Sequence, residues 1–487
     1  MFVFGPGRGR RWARSFGVVP TSSAFGGVPT RTLLRSYLVL WLCSKSWLTS
    51  RGMRALKLAE SIVGPKFTHA VLKRTLFKQF VAGESSIDIT PTVDHLKKLR
   101  VRCILDYAVE DGVDGQPPSD REWDENMESF LKTIKAAQKH ECMVAVKATA
   151  LGSPELLLKT TSVMNKASKL FKAFNTSGSG KITKEEFVAG VRGLSSSIDP
   201  DRFFPRLDCN SDGVIDYLDW TTYLIPAEMH IRAGPFLPHL NNSQLTELAR
   251  LQARLDCIAK EASVSNVHLL IDAEQTYLQG AIDFLVTELQ RKYNRDGKSI
   301  VSGTYQAYRT DCARRLRLDI ARAGREKYRF SAKLVRGAYM TEERSRAAEL
   351  GYPDPINRDV SATTSMLIEC VNIFFDSIHN ADLMLASHNA DSIQYVTSRM
   401  DQRLIVKDRV KFAQLLGMAD HVTNTLAANS YPTYKYVPFG PIGKVVPYLL
   451  RRAEENSVVN TGTARERRFM VEELRNRLEN AFTFGRK

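Results

Sequence analysis

Short apolar, β-branched runs recur along the chain, each followed by a longer helical or polar stretch. Eight stand out: Arg102–Val109, Cys142–Lys147, Val267–Ala273, Gly303–Tyr308, Ala332–Tyr339, Asp382–His388, Val410–Leu415 and Tyr434–Phe439. Near-continuous hydrophobicity over so few residues marks strands buried on both faces, as parallel strands are. Strands alternating with helices make βαβ units, and eight of them predict a closed (β/α)8 barrel of the α/β class. The strand-bearing region, less one insertion, is about 280 residues, close to the usual size of such a barrel. A doubly wound open sheet predicts a Gly-rich first turn, and none is present. Ahead of the barrel, Lys66–Ala82 has apolar residues at helical spacing and predicts a helix.

The gap between the second and third runs is much longer than any other, and it holds two EF-hand-like loops. The second, Asp208–Asp219, places Asp208, Asn210 and Asp212 at positions 1, 3 and 5, Gly213 at the turn and Val214 at the carbonyl position. Ile215 follows at position 8 and Asp219 at position 12, where Asp is shorter than the usual bidentate Glu. The first loop, Asn175–Glu186, keeps Gly180, Ile182 and Glu186 but has no carboxylate at 1, 3 or 5, so it is expected to be structural. Calcium is the expected ligand of the second loop, and a metal-free helical insertion is the alternative. The predicted organisation is therefore 1–59, a leader or disordered segment; 60–101, helical; 102–159, the first part of the barrel; 160–240, the insertion; and 241–487, the remainder with C-terminal helices.

Composition changes this picture at one end. The chain has 487 residues, 43% hydrophobic and 25% charged, as a soluble globular protein does. The formal charge is +16, which at first suggests nucleic acid. Ten of the 69 basic residues lie before Glu60, where there is no Asp or Glu; the other 59, against 53 acidic residues, leave +6. An Arg-rich, Ser-containing, acid-free start has the composition of a mitochondrial transit peptide. No nucleic-acid partner is expected. Seven scattered cysteines without a C-x-x-C pair argue against a disulfide framework and fit a reducing compartment. No apolar run approaches the roughly 18–20 residues of a spanning helix.

In a barrel of this kind chemistry sits at the C-terminal ends of the strands. Those ends carry Glu110, Lys147, Asp272, Gln306, Arg336, His388 and Gln414. Lys147 and Asp272 could pair across the mouth, catalytically or as a structural ion pair. On the helix after the eighth run, Arg451 and Arg452 stand side by side, an arrangement that needs an anion or full solvation. A substrate carboxylate would supply the anion. Tyr436 and Tyr448 could wall an apolar ligand. There is no H-E-x-x-H and no G-x-S-x-G, so neither a catalytic metal nor an α/β-hydrolase is indicated. A barrel with an anion clamp and no visible nucleophile borrows its chemistry from an organic cofactor.

The strings LIDAEQTY (Leu270–Tyr277), KLVRGAYM (Lys333–Met340), ASHN (Ala386–Asn389), QLLGM (Gln414–Met418) and YVPFGPIGKVVPYLLRRAEEN (Tyr436–Asn456) resemble the mitochondrial proline dehydrogenase family, in that family's order. The resemblance implies a distorted (β/α)8 TIM barrel carrying FAD. It implies oxidation of L-proline to Δ1-pyrroline-5-carboxylate, with electrons passed to ubiquinone by a protein peripherally associated with the matrix side of the mitochondrial inner membrane. Carried over residue by residue, Arg451 and Arg452 clamp the carboxylate, Lys147 adds a positive contact, and Tyr436 and Tyr448 close over the ring. Asp272 orients Lys147. Ala273, Gln306, Lys333, Arg336, Gly337, Ala338, Ser387 and His388 match positions that touch FAD, and Lys147, Asp272 and Lys333 are the implied catalytic set. Bacterial members have Arg at the position of Lys333 and Lys at that of Arg336, so charge is kept while contacts differ. Two other readings stand beside this one: a hydroxyproline dehydrogenase, disfavoured by the retained Tyr436, and a calcium-binding regulatory protein on an inactive barrel.

Overall fold

Each of the eight apolar runs forms a barrel strand in the computed structural model, which describes residues 24–45, 52–108, 118–195, 198–222, 239–458 and 460–484. In chain order the strands are β1 (Arg102–Tyr107), β2 (Met143–Val146), β3 (Lys181–Thr183), β4 (Val214–Asp216), β5 (Leu269–Ile271), β6 (Val301–Gln306), β7 (Phe330–Val335), β8 (Ala381–Ala386), β9 (Val410–Leu415) and β10 (Thr433–Phe439). All but β3 and β4 close one parallel barrel in the order β1-β2-β5-β6-β7-β8-β9-β10, with β10 pairing back onto β1. The strand over 303–308 begins and ends two residues earlier than its sequence suggests, and the 332–339 strand ends at Val335. There the chain leaves the sheet at Gly337, which has φ +132°.

The period-2 alternation of the strands sorts side chains into two layers. Ile104, Met143, Ala145, Leu270, Met384, Ala413 and Tyr434 pack together inside the barrel. The opposite faces pack on the surrounding helices in two large clusters, built for example from Leu105, Val144, Phe130 and Leu255 on one side and Leu334, Leu385, Phe374 and Phe412 on the other. A polar side chain placed two residues beyond an inner-layer residue therefore points into the mouth.

Between β2 and β5 the helix Pro154–Phe174, capped by Ser153, leads into the insertion. There β3 and β4 pair antiparallel with Ile182 opposite Ile215, both fully buried. Trp220 fills the space beneath them against Phe171 and Phe174, and its indole Nε1 donates to Ala167 O at 3.0 Å.

The N-terminal segment departs from the sequence reading. Residues up to 23, and 46–51, lie outside the described residues, but 24–45 are folded: Thr30–Cys43 is a helix whose Leu33, Val39, Leu40 and Cys43 are buried, together with Phe25. It packs on the C-terminal helices Ile442–Val458 and Asn460–Phe484, and Arg477 donates to Phe25 O (2.8 Å) and Thr30 Oγ1 (2.9 Å). A disordered leader over all of 1–59 is thus corrected. Acid-free composition recorded the charge of this segment and missed its helical apolar stripe. The single helix predicted over 66–82 is instead an α-helix to Leu72, a π turn over Lys73–Phe77 and a last turn ending at Phe80.

Candidate active site at the barrel mouth

The inward phase of each strand, continued to its C-terminal end, assembles the mouth. After Ile104 comes Asp106; after Ala145, Lys147; after Leu270, Asp272; after Tyr434, Tyr436. Lys333 stands in register with inner-layer Met384 on one side and Thr304 on the other, and Gln306 follows Thr304 in the same phase. Tyr448, Arg451 and Arg452 share one face of the helix after β10, being three and four residues apart. Tyr448 and Arg452 are buried, with the Arg452 guanidinium 5.0 Å from the Tyr448 ring centroid. Arg336, Gly337 and Ala338 follow β7, and Ser387 and His388 follow β8, so every sequence-predicted substrate and cofactor residue lies at this end of the barrel.

The pairing inside the mouth differs from expectation. Asp272 forms its ion pair with Lys333, not Lys147, and accepts from the Tyr436 hydroxyl at 2.7 Å. Lys147 is paired instead with Asp106, Nζ to Oδ1 3.2 Å. The cause is register: β1 lies beside β2 with Asp106 opposite Ala145, two residues before Lys147 on the same face. Asp106 is 1% exposed and was missed by sequence reasoning, although a lone carboxylate at an inward position of an apolar strand is a readable signal.

These environments set protonation. Burial opposes ionisation of Asp272, yet Lys333 and Lys147 hold its carboxyl below the usual range, so it is an anion. Burial, then Asp106 and Asp272, push the Tyr436 phenol well up, keeping it a hydrogen-bond donor. Burial, then Lys435 and Arg452, push His388 down to about 3, so its ring is neutral. Its Nε2 accepts from Leu415 N at 3.0 Å, which assigns the proton to Nδ1.

Glu274 is a second residue that sequence reasoning passed over. It is buried, accepts from the Tyr339 hydroxyl at 2.7 Å, and has its carboxyl raised to about 6 by burial. Arg336 reaches sideways, donating to Thr364 Oγ1 (2.8 Å) and Ser392 Oγ (3.2 Å).

The donor set suits a flavin. An isoalloxazine needs hydrogen-bond donors along its pyrimidine edge and positive charge near it when reduced. Lys333, Gln306, Gln414, Ser387 and neutral His388 are groups of that kind at this end of the barrel. Gln414 is oriented because its Oε1 accepts from Thr423 Oγ1 at 2.9 Å while its Nε2 donates to Ser387 O at 3.3 Å, which leaves one amide N–H. At Gly337 a Cβ would lie 2.4 Å from the Tyr308 ring, so the turn after β7 tolerates no side chain there.

In the insertion the expected calcium ligands hydrogen-bond to one another and to the loop backbone. Asp208 accepts from the backbone N–H of Asp212 (3.1 Å) and Gly213 (2.9 Å), Asp212 from Val214 N (3.1 Å), and Asn210 donates to Asp212. Asp219 accepts from Asp216 N at 3.0 Å and forms an ion pair with Arg325 of the barrel at 2.9 Å. Among the described residues no group of three or more His, Cys, Asp or Glu could hold a metal ion. A guanidinium already occupies the twelfth-position carboxylate, for a reason no local motif reveals.

A closed parallel barrel whose mouth collects buried cations, an aromatic wall and a flavin-ready donor set defines a (β/α)8-barrel enzyme for a small anionic substrate. The sequence profile described as Proline dehydrogenase matches residues 89–465. The human protein Proline dehydrogenase 1, mitochondrial, is 33% identical, over 94% of this chain and 89% of that one. The hydroxyproline dehydrogenase of Bos taurus is 31% identical, over 92% and 90%. Among solved structures, proline utilization A (PutA) from Bdellovibrio bacteriovorus, inactivated by N-propargylglycine, superposes with a TM-score of 0.59 at 17% identity, covering 88% of this chain. This chain spans 37% of that longer protein, and the likeness concerns the fold. The chain belongs to the proline dehydrogenase family.

Proposed function

We propose that the protein oxidises L-proline to Δ1-pyrroline-5-carboxylate with FAD held at the barrel mouth and passes the electrons to ubiquinone. The carrying observation is the shared face of Tyr448, Arg451 and Arg452 over a mouth containing Lys147, Asp272 and Lys333. The arginine pair and Lys147 grip the carboxylate, which fixes the ring; such fixing is worth several kcal/mol of barrel-mouth alignment. FAD, held by Lys333, Gln306 and the turn after β7, would supply the acceptor for the hydride on the ring carbon beside nitrogen. Positive charge around the amine disfavours its ammonium form, so the substrate reacts as the neutral amine without a strong base. Asp272 holds Lys333 and Tyr436 in place through the ion pair and the 2.7 Å hydrogen bond.

Tyr436 favours proline over hydroxyproline, since it fills the space an added hydroxyl would need. Matrix-side mitochondrial localisation is supported by relatives named mitochondrial and by the basic, acid-free composition of residues 1–23. No helix among the described residues is long and apolar enough to cross a membrane, and inner-membrane association would be peripheral. The insertion serves in this reading as a structural lobe derived from paired EF-hands, with Arg325 in place of a metal.

The test is anaerobic addition of proline to the purified protein, with bleaching of the flavin absorbance as the expected result. Arg451→Met should raise the KM for proline by about 100-fold or more while leaving flavin content intact. An unchanged KM would remove the clamp from the proposal.

A further inference from the structure

The inward phase of the strands, followed toward their N-terminal ends, assembles a second polar layer on the far side of the barrel core. Two residues before inner-layer Ile104, Leu270, Met384 and Ala413 stand Arg102, His268, Asp382 and Lys411. Arg329, just before β7, forks onto Asp382, with its Nε and Nη2 each 2.7 Å from a carboxylate oxygen. Arg409 stands 3.8 Å from the same carboxylate and donates to Ile378 O. Arg102 has a neutral partner, the Tyr434 hydroxyl at 3.2 Å. Glu141 and Asp408, the other carboxylates that Arg102 feels, are exposed, and Glu141 is paired with Lys97 at 3.7 Å. Among the described residues Lys411 has no hydrogen-bond or ion-pair partner, although it is only partly exposed. His268 cannot serve it, because its two ring nitrogens are taken by Ser299 O (2.6 Å) and Ser302 Oγ (2.7 Å). Burial, then Arg409, Arg329 and Arg102, outweigh Asp382 and hold the Lys411 ammonium below the usual lysine range.

We propose that this end of the barrel is a binding site for a phosphate group, free or as a monoester, held by Arg102, Arg409 and Lys411. Charge selects the ligand class. With Asp382 engaged by Arg329, three cations remain in one partly desolvated layer, where like charges repel unless an anion stands between them. A structural polar layer would match its charges as Arg329 and Asp382 do, and Lys411 is the member left unmatched. A monocarboxylate offsets one cation. A phosphate monoester carries roughly −1.5 to −2 near neutral pH and has oxygens enough for three donors. The span suits such an ion: β9 and β1 are second neighbours through β10, about 10 Å apart at the backbone, so a lysine and an arginine can converge between them. The substrate clamp is separate. Met143, Leu270, Met384 and Tyr434 fill the barrel between this layer and the mouth, so the ion does not compete with substrate. The inference rests on the unmatched cations and not on the identity of the substrate or the electron acceptor.

The experiment is thermal melting of the full-chain holoenzyme against rising inorganic phosphate, with chloride and acetate at matched ionic strength as controls. Phosphate should raise the wild-type melting temperature and saturate, and the two controls should not. Lys411→Met and Arg102→Gln should each raise the half-saturating phosphate concentration about tenfold or more, and Lys411→Arg should keep it within about threefold. In phosphate-free buffer Lys411→Met should melt no lower than the wild type, because it removes an unpaired ammonium, and its proline turnover should be unchanged. Glycerol phosphate is the second arm: a matching response makes the site one for the phosphate group, and a response to inorganic phosphate alone makes it one for the free ion. The phosphate response should persist in Arg451→Met, whose altered clamp lies at the opposite end of the barrel. Its loss there would place the ion at the mouth and overturn the proposal. So would the absence of a saturable rise, or an equal rise in the wild type, Lys411→Met and Arg102→Gln, which would mean an adventitious ion only.

Discussion

At the residue scale, the place of the mouth residues was legible where a motif carried them, and their pairing was not. Arg451, Arg452, Lys147 and Asp272 were readable from strand ends and from the resemblance. Which carboxylate pairs with which lysine, Asp106 with Lys147 and Asp272 with Lys333, follows from strand register, which no local pattern encodes. Glu274 shows what such hidden neighbours do. Its carboxyl, raised to about 6 by burial, ionises as pH rises through that value, close enough to Lys147 and Arg451 to feel both charges. Ionised, it places a negative charge where the substrate carboxylate must bind. Glu274→Gln should therefore lower the KM for proline several-fold relative to wild type above pH 6 and match it below pH 5, measured as the ratio of the two proteins at each pH. A ratio independent of pH would place Glu274 away from the clamp. Stability has the matching sign. A carboxyl raised above its unfolded value favours the fold at low pH and loses that contribution as pH passes about 6, so the Gln variant should be more stable than wild type at pH 8 by about 2 kcal/mol.

At the scale of elements, all eight barrel strands were legible because strands buried on both faces leave unbroken apolar runs. Their ends were less so, since a strand stops where backbone geometry changes and not where hydrophobicity does. Gly337 ends the pairing after β7: its φ of +132° and the Tyr308 ring 2.4 Å from a would-be Cβ leave only glycine possible. Gly337→Ala should displace Arg336, Ala338 and the flavin contacts with them while the sheet stays paired. The expected result is loss of most bound flavin with an unchanged far-UV circular dichroism spectrum; full flavin occupancy would show that the loop yields without cost. The helix over 30–43 was lost to its own composition, because a count of arginines is blind to the spacing of Leu33, Ser36, Leu40 and Cys43 that buries one face.

Over the whole molecule, stability should be sensitive to acid through its buried imidazoles. His268, just before β5 and bonded to Ser299 O (2.6 Å) and Ser302 Oγ (2.7 Å), is held down to about 4 by burial. Its contribution is complete above pH 6.5 and is lost as pH falls toward 4, about 2 kcal/mol by pH 5. Replacing His268 by Gln should flatten the fall in melting temperature between pH 7 and pH 5, and an unaltered slope would assign it to other groups. The insertion poses the larger question, because its loop sequence and its contacts disagree. A calcium loop read in isolation expects Asp219 to face the ion, whereas the assembled protein turns Asp219 toward Arg325, on the helix Cys312–Glu326. Arg325 also pairs with Asp216, so one guanidinium bridges both carboxylates and fastens the lobe to the barrel. Asp219 is fully buried while Arg325 is about one-third exposed, and removing the cation should cost about 1–3 kcal/mol. Arg325→Met should accordingly lower the melting temperature by a few degrees. Millimolar calcium should leave the wild type almost unmoved and recover part of the loss in the variant, because only there is the carboxylate pair left without its cation. An equal calcium-induced rise in both proteins would mean that the guanidinium and the ion do not compete, and that the lobe is a calcium sensor after all.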